Sequence, residues 1–168
     1  MGRNNIRLVG WTVGLALLLG LSRVIPHPPN FTPIIAAAVF APFIFKDAVT
    51  SVAVVFIAMF VGDVVYGFHP YMLYTYGSLV AAYAIGRYGK NLFANAFASS
   101  VVFFLITNFG VWLSGYYGYT LSGLIACYIA AIPFFANQLA GTMLYTLGFF
   151  IIIKFQNRLT LINKDSIV

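Results

Sequence analysis

Long apolar runs separated by short polar breaks set the pattern of this chain. Apolar residues dominate 8–25, 34–45, 48–66, 71–85, 92–113 and 121–155, and the breaks between them carry the prolines, charged residues and most glycine turns. Runs with no polar stripe at helical spacing predict helices that face either other helices or lipid on every side. A bilayer core of about 30 Å asks for roughly 20 such residues per crossing. The run 34–45 gives only about a dozen, interrupted by Pro42, or roughly 18 Å of helix. It is too short to cross comfortably and leaves room for water or ligand at its outer end. The last run, 121–155, exceeds about 50 Å as one helix, so a break is expected at Pro133. That break predicts an interfacial or re-entrant half helix over 121–132 and a final crossing over 134–153. The polar tail 154–168 is expected to fray. The expected fold class is all-α: a polytopic membrane helix bundle in one domain, 1–168, with six transmembrane helices and a kinked or re-entrant segment before the last.

Charge then orients the bundle. The chain is 62% hydrophobic and 7% charged, with a mean hydropathy of +0.95, and cannot coat a water-soluble core. With six crossings and a cytoplasmic segment 1–7, the inside holds Arg3, Arg7, Lys46, Arg87, Lys90, Lys154, Arg158 and Lys164. Only Arg23 falls outside, a strong positive-inside bias. Counting 121–132 as a full crossing would move the basic tail outside, so both termini are expected in the cytoplasm. The first run ends in Ser22-Arg23-Val24-Ile25-Pro26 with no small-x-small cleavage site, which favours a retained span over a signal peptide. The net charge of +6 forms no basic stripe and predicts no nucleic-acid partner. A lone Cys127 excludes an internal disulfide.

The break at 22–33 is the candidate centre of function. Pro26, Pro28, Pro29 and Pro33 remove backbone donors and hold this segment extended, so it reads as a lid. The six-crossing topology gathers Arg23, His27, Asn30, Asp63, His69, Asn108, Asn137 and Gln138 into the outer third of the bundle. Polar groups there face a bundle interior or a wet cavity, and each is a functional candidate by default. For Asp63 the competing reading is a structural ion pair with Arg23. His69, beside Pro70, reads first as a wet surface histidine, and Asn108, Asn137 and Gln138 as ligand contacts or interhelical glue. The tyrosines and Trp112 read as an outer aromatic belt, with Tyr66, Tyr74 and Trp112 as possible stacking surfaces for a ligand. The candidate ligand-binding set is Arg23, His27, Asn30, Asp63, Tyr74, Asn108, Trp112, Asn137 and Gln138. Gly10, Gly14, Ala16 and Gly20 put small residues on a shared face of the first run, for packing inside the bundle or against a partner.

Enzyme motifs are missing: there is no Gly-x-Ser-x-Gly, no His-Glu-x-x-His, no phosphate-cradling loop and no second acid to pair with Asp63 inside a run. No cofactor and no metal are expected, two histidines in separate loops being a weak metal signal.

The motifs Ser22-Arg23-x-x-Pro26-His27-Pro28-Pro29-Asn30-Phe31-Thr32-Pro33-Ile34, Gly62-Asp63, Tyr71-Met72-x-Tyr74-x-Tyr76-Gly77-Ser78, Thr107-Asn108-Phe109-Gly110-Val111-Trp112 and Cys127-Tyr128-x-Ala130-Ala131-Ile132-Pro133-Phe134-Phe135 together resemble an uncharacterised family of small bacterial membrane proteins. The architecture also resembles the substrate-binding S component of energy-coupling-factor vitamin transporters, a six-span fold with an outward cup gated by the loop after span one. That resemblance implies capture of a vitamin-like nutrient at the bacterial inner membrane. It also implies docking to a membrane-coupling subunit and its ATPases through small residues on span one. The nearest equivalents here are Gly10-x-x-x-Gly14 and Ala16-x-x-x-Gly20 in place of the usual Ala-x-x-x-Ala. The alternative is a structural subunit of a membrane complex with no small-molecule ligand.

Overall fold

The computed structural model describes residues 3–45 and 47–165, with side-chain packing described for 12–45 and 47–155. The described residues form six helices and no strand: α1 (Arg3–Ser22), α2 (Ile34–Ile44), α3 (Ala48–Tyr66), α4 (Met72–Tyr88), α5 (Leu92–Leu113) and α6 (Leu121–Asp165). Among the described residues, three stretches are long and apolar enough to cross a membrane: α3, α5 and Leu121–Phe155 within α6. Thr12–Ser22 and Ile34–Ile44 are shorter apolar helices.

Polar residues in the breaks start α3, α5 and α6. The Asp47 carboxylate accepts the Thr50 N–H at 2.7 Å, the Asn91 side-chain oxygen accepts the Ala94 N–H at 3.0 Å, and the Thr120 hydroxyl accepts the Gly123 N–H at 3.1 Å. Each satisfies a backbone donor that the first turn leaves free. Gly67, at φ 95°, ends α3 in a backbone region closed to most side chains.

The shortest helix sits at the centre. Every residue of α2 from 34 to 41 is buried, and α2 touches α3, α4, α5 and α6. A helix apolar all round belongs in that position. Small residues set its distances: at Gly86 the backbone of α4 lies directly on that of Val39 in α2. On the other side, Gly20 of α1 lies beneath Val61 of α3. The outer surface is apolar too, with Leu18, Val49, Leu73, Ile129 and Phe155 more than half exposed. A surface of that kind needs an apolar surround.

Three expectations are corrected. The break at Pro133 is absent: α6 runs through it, with Pro133 inside a helix of 45 residues. A mid-helix proline costs about 3 kcal/mol through one lost hydrogen bond and a crowded preceding turn. Here α5 holds α6 on both sides of it. The Tyr128 hydroxyl donates to the Leu105 carbonyl at 2.7 Å, and Gln138 Nε2 donates to the Ser100 carbonyl at 2.9 Å. Residues 154–165 continue α6 where fraying was expected. Finally, α1 ends at Ser22, since the residues leading to Pro26 close in turns and Arg23 N–H bonds back to Gly20. Lys46 and Gly10, together with the side chains of Arg3, Arg7, Arg158 and Lys164, lie outside the residues whose packing is described.

Candidate functional site

The loops 23–33, 67–71 and 114–120 meet at one end of the bundle around a cavity of about 410 Å³. A neighbouring chamber of about 360 Å³ shares Arg23, Asn30, Met59, Phe103 and Gln138 with it. Phe103, Phe104, Phe134 and Phe135 give the main cavity an aromatic wall, and Arg23, His69, Thr75, Thr107, Asn108 and Gln138 give it polar groups. An apolar hollow with a few converging polar groups is the usual form of a small-molecule site, and this volume falls in the usual range.

The lid is held by its own turns and by α6. Phe31 N–H bonds the Pro28 carbonyl at 3.0 Å, and Thr32 N–H bonds the Asn30 carbonyl at 3.0 Å. Asn30 takes a left-handed backbone, φ 64°, which asparagine tolerates better than most residues. The Phe31 ring packs on Tyr145 with centroids 5.9 Å apart, and its backbone rests over Gly141. His27 places Nδ1 2.8 Å from the Pro28 carbonyl oxygen and Nε2 3.1 Å from that of Arg23. A neutral imidazole can donate to only one of these at a time.

Arg23 joins lid, cavity and core. Its Nη1 donates to Asp63 Oδ1 at 3.1 Å and to the Met59 carbonyl. Tyr76 donates its hydroxyl to Asp63 Oδ2 at 2.7 Å, and Tyr66 donates to the Arg23 carbonyl at 2.9 Å. Room for the guanidinium comes from Gly62, where any Cβ would collide with it. The other guanidinium N–H groups have no hydrogen bond to the described residues, and Arg23 borders both chambers. It can therefore present a fixed, partly neutralised donor to a ligand.

Among the expected ligand-binding residues, Arg23, Asn30, Asn108 and Gln138 line the main cavity, and His27 lines the neighbouring chamber. Asp63, Tyr74, Trp112 and Asn137 line neither. Asp63, only 2% exposed, is fully engaged by Arg23 and Tyr76. Tyr74 packs onto Gly110 and meets Phe109 edge-on, and the Trp112 ring lies tilted against Phe109 and edge-on to Tyr119. Asn108 uses Nδ2 on its own helix, donating to the Phe104 carbonyl at 2.8 Å. The small residues of α1 also divide. Ala16 and Gly20 are buried within the bundle, the latter against α3. Gly14 has nothing near its Cβ position.

His69 was not in that set, yet it lines the main cavity. Its ring stacks on Tyr71 at 3.9 Å, and its buried Nδ1 has no hydrogen-bond partner. The sequence places it among the outer polar residues but reads it first as a wet surface histidine. Burial pushes the imidazole below its ordinary value of 6.5, with Asp63 opposing and Arg23 assisting. The neutral ring is therefore the folded form, and its contribution is full above that value and fades as pH falls below it. His69→Gln should flatten the acid side of the melting profile below about pH 6.5, as read by thermal unfolding in detergent. An unchanged profile would place the titrating group elsewhere.

No match to the chain was found among curated proteins or among solved structures. The S-component likeness thus draws no support from either. A family model matches residues 4–162, nearly the whole chain. On that match, the chain belongs to the family of unknown function DUF6580.

Proposed function

We propose that this protein is a membrane-embedded substrate-binding subunit, which captures a small, vitamin-like nutrient in the lid-end cavity and passes it across the bacterial inner membrane with partner subunits. The observation that carries this reading is the cavity itself. It lies beneath a proline-stiffened lid, and its polar groups border an aromatic wall. A planar ring could stack on that wall while Arg23, Asn108 and Gln138 take its polar edge. The apolar outer surface supports a lipid surround. In this reading the bundle crosses six times, with the lid end outward and both termini cytoplasmic. The 17 residues of α4 cover about 25 Å, close to a crossing. The 35-residue apolar stretch of α6 covers roughly 52 Å, so it must tilt or extend beyond the hydrocarbon. The chain does no covalent chemistry of its own, and a membrane-coupling subunit with ATPases supplies the energy.

The competing reading is a scaffold subunit, favoured by the way Asp63 is consumed inside the fold. Protein purified gently from its own membranes and then heated should release one metabolite in near-equal amount. Recovery of an empty chain in a defined complex, one that Asp63→Asn breaks, would favour the scaffold.

A further inference from the structure

The packed helices α5 and α6 both carry buried polar residues. Asn95, Ser99 and Ser100 on α5 and Gln138, Thr142 and Thr146 on α6 are all at least nine-tenths buried. Gln138, Thr142 and Thr146 are four residues apart, as are Asn95 and Ser99, so each set stacks along one helix face at about 6 Å per step. The bond from Gln138 to the Ser100 carbonyl ties the two faces together at 2.9 Å.

These groups differ from the other buried hydroxyls. Ser51 donates to the Asp47 carbonyl at 2.8 Å, Ser78 to that of Thr75 at 2.7 Å, and Thr75 to that of Tyr71 at 3.4 Å. The hydroxyls of Ser99, Ser100, Thr142 and Thr146 and the Asn95 amide nitrogen have no partner among the described residues. Five bare polar atoms on two packed helices are costly, and bridging water is the ordinary remedy. Each end of the stripe also reaches a cavity. Gln138 lines the lid-end cavity and its neighbour, and Asn95 lines a groove of about 260 Å³ beside Lys90, Phe43 and Phe150 at the opposite end.

We propose that the α5–α6 interface is a hydrated seam that joins the lid-end cavity to this far groove and serves as the route by which the bound solute leaves. Its role as a release route rests on the proposed transport function; its hydration does not. Arg23 stands at one mouth and Lys90 at the other, and among the described residues no carboxylate lines either cavity. The solute class that fits is neutral or anionic with hydrogen-bonding groups, not cationic.

The test uses single cysteines at Ser99 and Thr142, with Cys127→Ala removing the native thiol, in the full chain in membrane vesicles. N-ethylmaleimide reacts with the thiolate, which forms only where water reaches the sulfur. Ser99→Cys and Thr142→Cys should react at least about tenfold faster than Ala82→Cys, a dry core control. Reaction no faster than that control overturns the seam. Ser100→Cys and Thr146→Cys form a second pair, to be read in the same way if either first variant fails to fold. A reactive seam in a protein that never yields a metabolite leaves the seam standing and removes the nutrient-binding reading. A bound metabolite with an unreactive seam removes the seam alone.

Discussion

Asp63→Ala is expected to destabilise the bundle by about 3 kcal/mol or more, since removing one partner of a buried ion pair strands the other. Asp63 is 2% exposed, and the Arg23 side chain beside it is 16% exposed, so water cannot take over the lost contact fully. The same substitution leaves the Tyr76 hydroxyl without its acceptor. Asp63→Asn keeps an oxygen for Tyr76 but loses the charge, and should fall between wild type and Asp63→Ala. The double variant Arg23→Leu/Asp63→Leu should recover most of the loss, because apolar replacement of a whole buried pair is often neutral. Thermal unfolding of the four proteins in one detergent reads all of this. A midpoint for Asp63→Ala equal to that of wild type would show that the pair carries no stability.

Gly86→Leu is expected to be about as damaging, for a reason of geometry alone. A Cβ at Gly86 would meet the backbone oxygen of Val39 and lie 2.7 Å from its Cα. Neither can swing aside, because they belong to the buried helix at the centre of the bundle. Overpacking of this kind costs typically about 1–3 kcal/mol, and the longer side chain lies at the upper end or beyond. Separating α2 from α4 also disturbs the lid, which enters α2 at Pro33. Gly77 and Gly148 supply the contrast, since a Cβ at either meets nothing within 4 Å. Gly77→Ala and Gly148→Ala should be neutral or stabilising by up to about 1 kcal/mol, the helix preference of alanine over glycine. Equal melting of Gly86→Leu and wild type would mean that α2 and α4 are not in contact there.

Much of the helix layout is readable from local chemistry. The boundaries of α3 and α5 coincide with the apolar runs 48–66 and 92–113, because Asp47 and Asn91 cap their starts and the runs end at turn residues. The short central helix shows in the dozen apolar residues after Pro33. The Arg23–Asp63 pair is also foreseeable, being the only acid inside a run and the only cation near the lid.

The rotation of each helix is not readable. In a helix that is apolar on every side, no polar stripe says which face turns inward. Asn108, which borders the cavity, and Trp112, which does not, are therefore indistinguishable in the sequence. The hydroxyls of Ser99 and Thr142 are hidden for the same reason, as serine and threonine sit at little cost in such runs. Pro133 misleads because the hydrogen bonds of Tyr128 and Gln138 to α5 are contacts between distant residues, which no local rule anticipates.

The proposed function requires that the lid-end cavity hold a small molecule. Its most direct test is native mass spectrometry of the wild-type protein beside Ala131→Phe, which places a ring in that cavity at a buried lining position. Wild type should carry one discrete small-molecule adduct, lost on collisional heating, and Ala131→Phe should fly at its bare mass while melting as a folded protein. An adduct of the same mass and occupancy on both proteins, or none on wild type from its own membranes, would contradict the account.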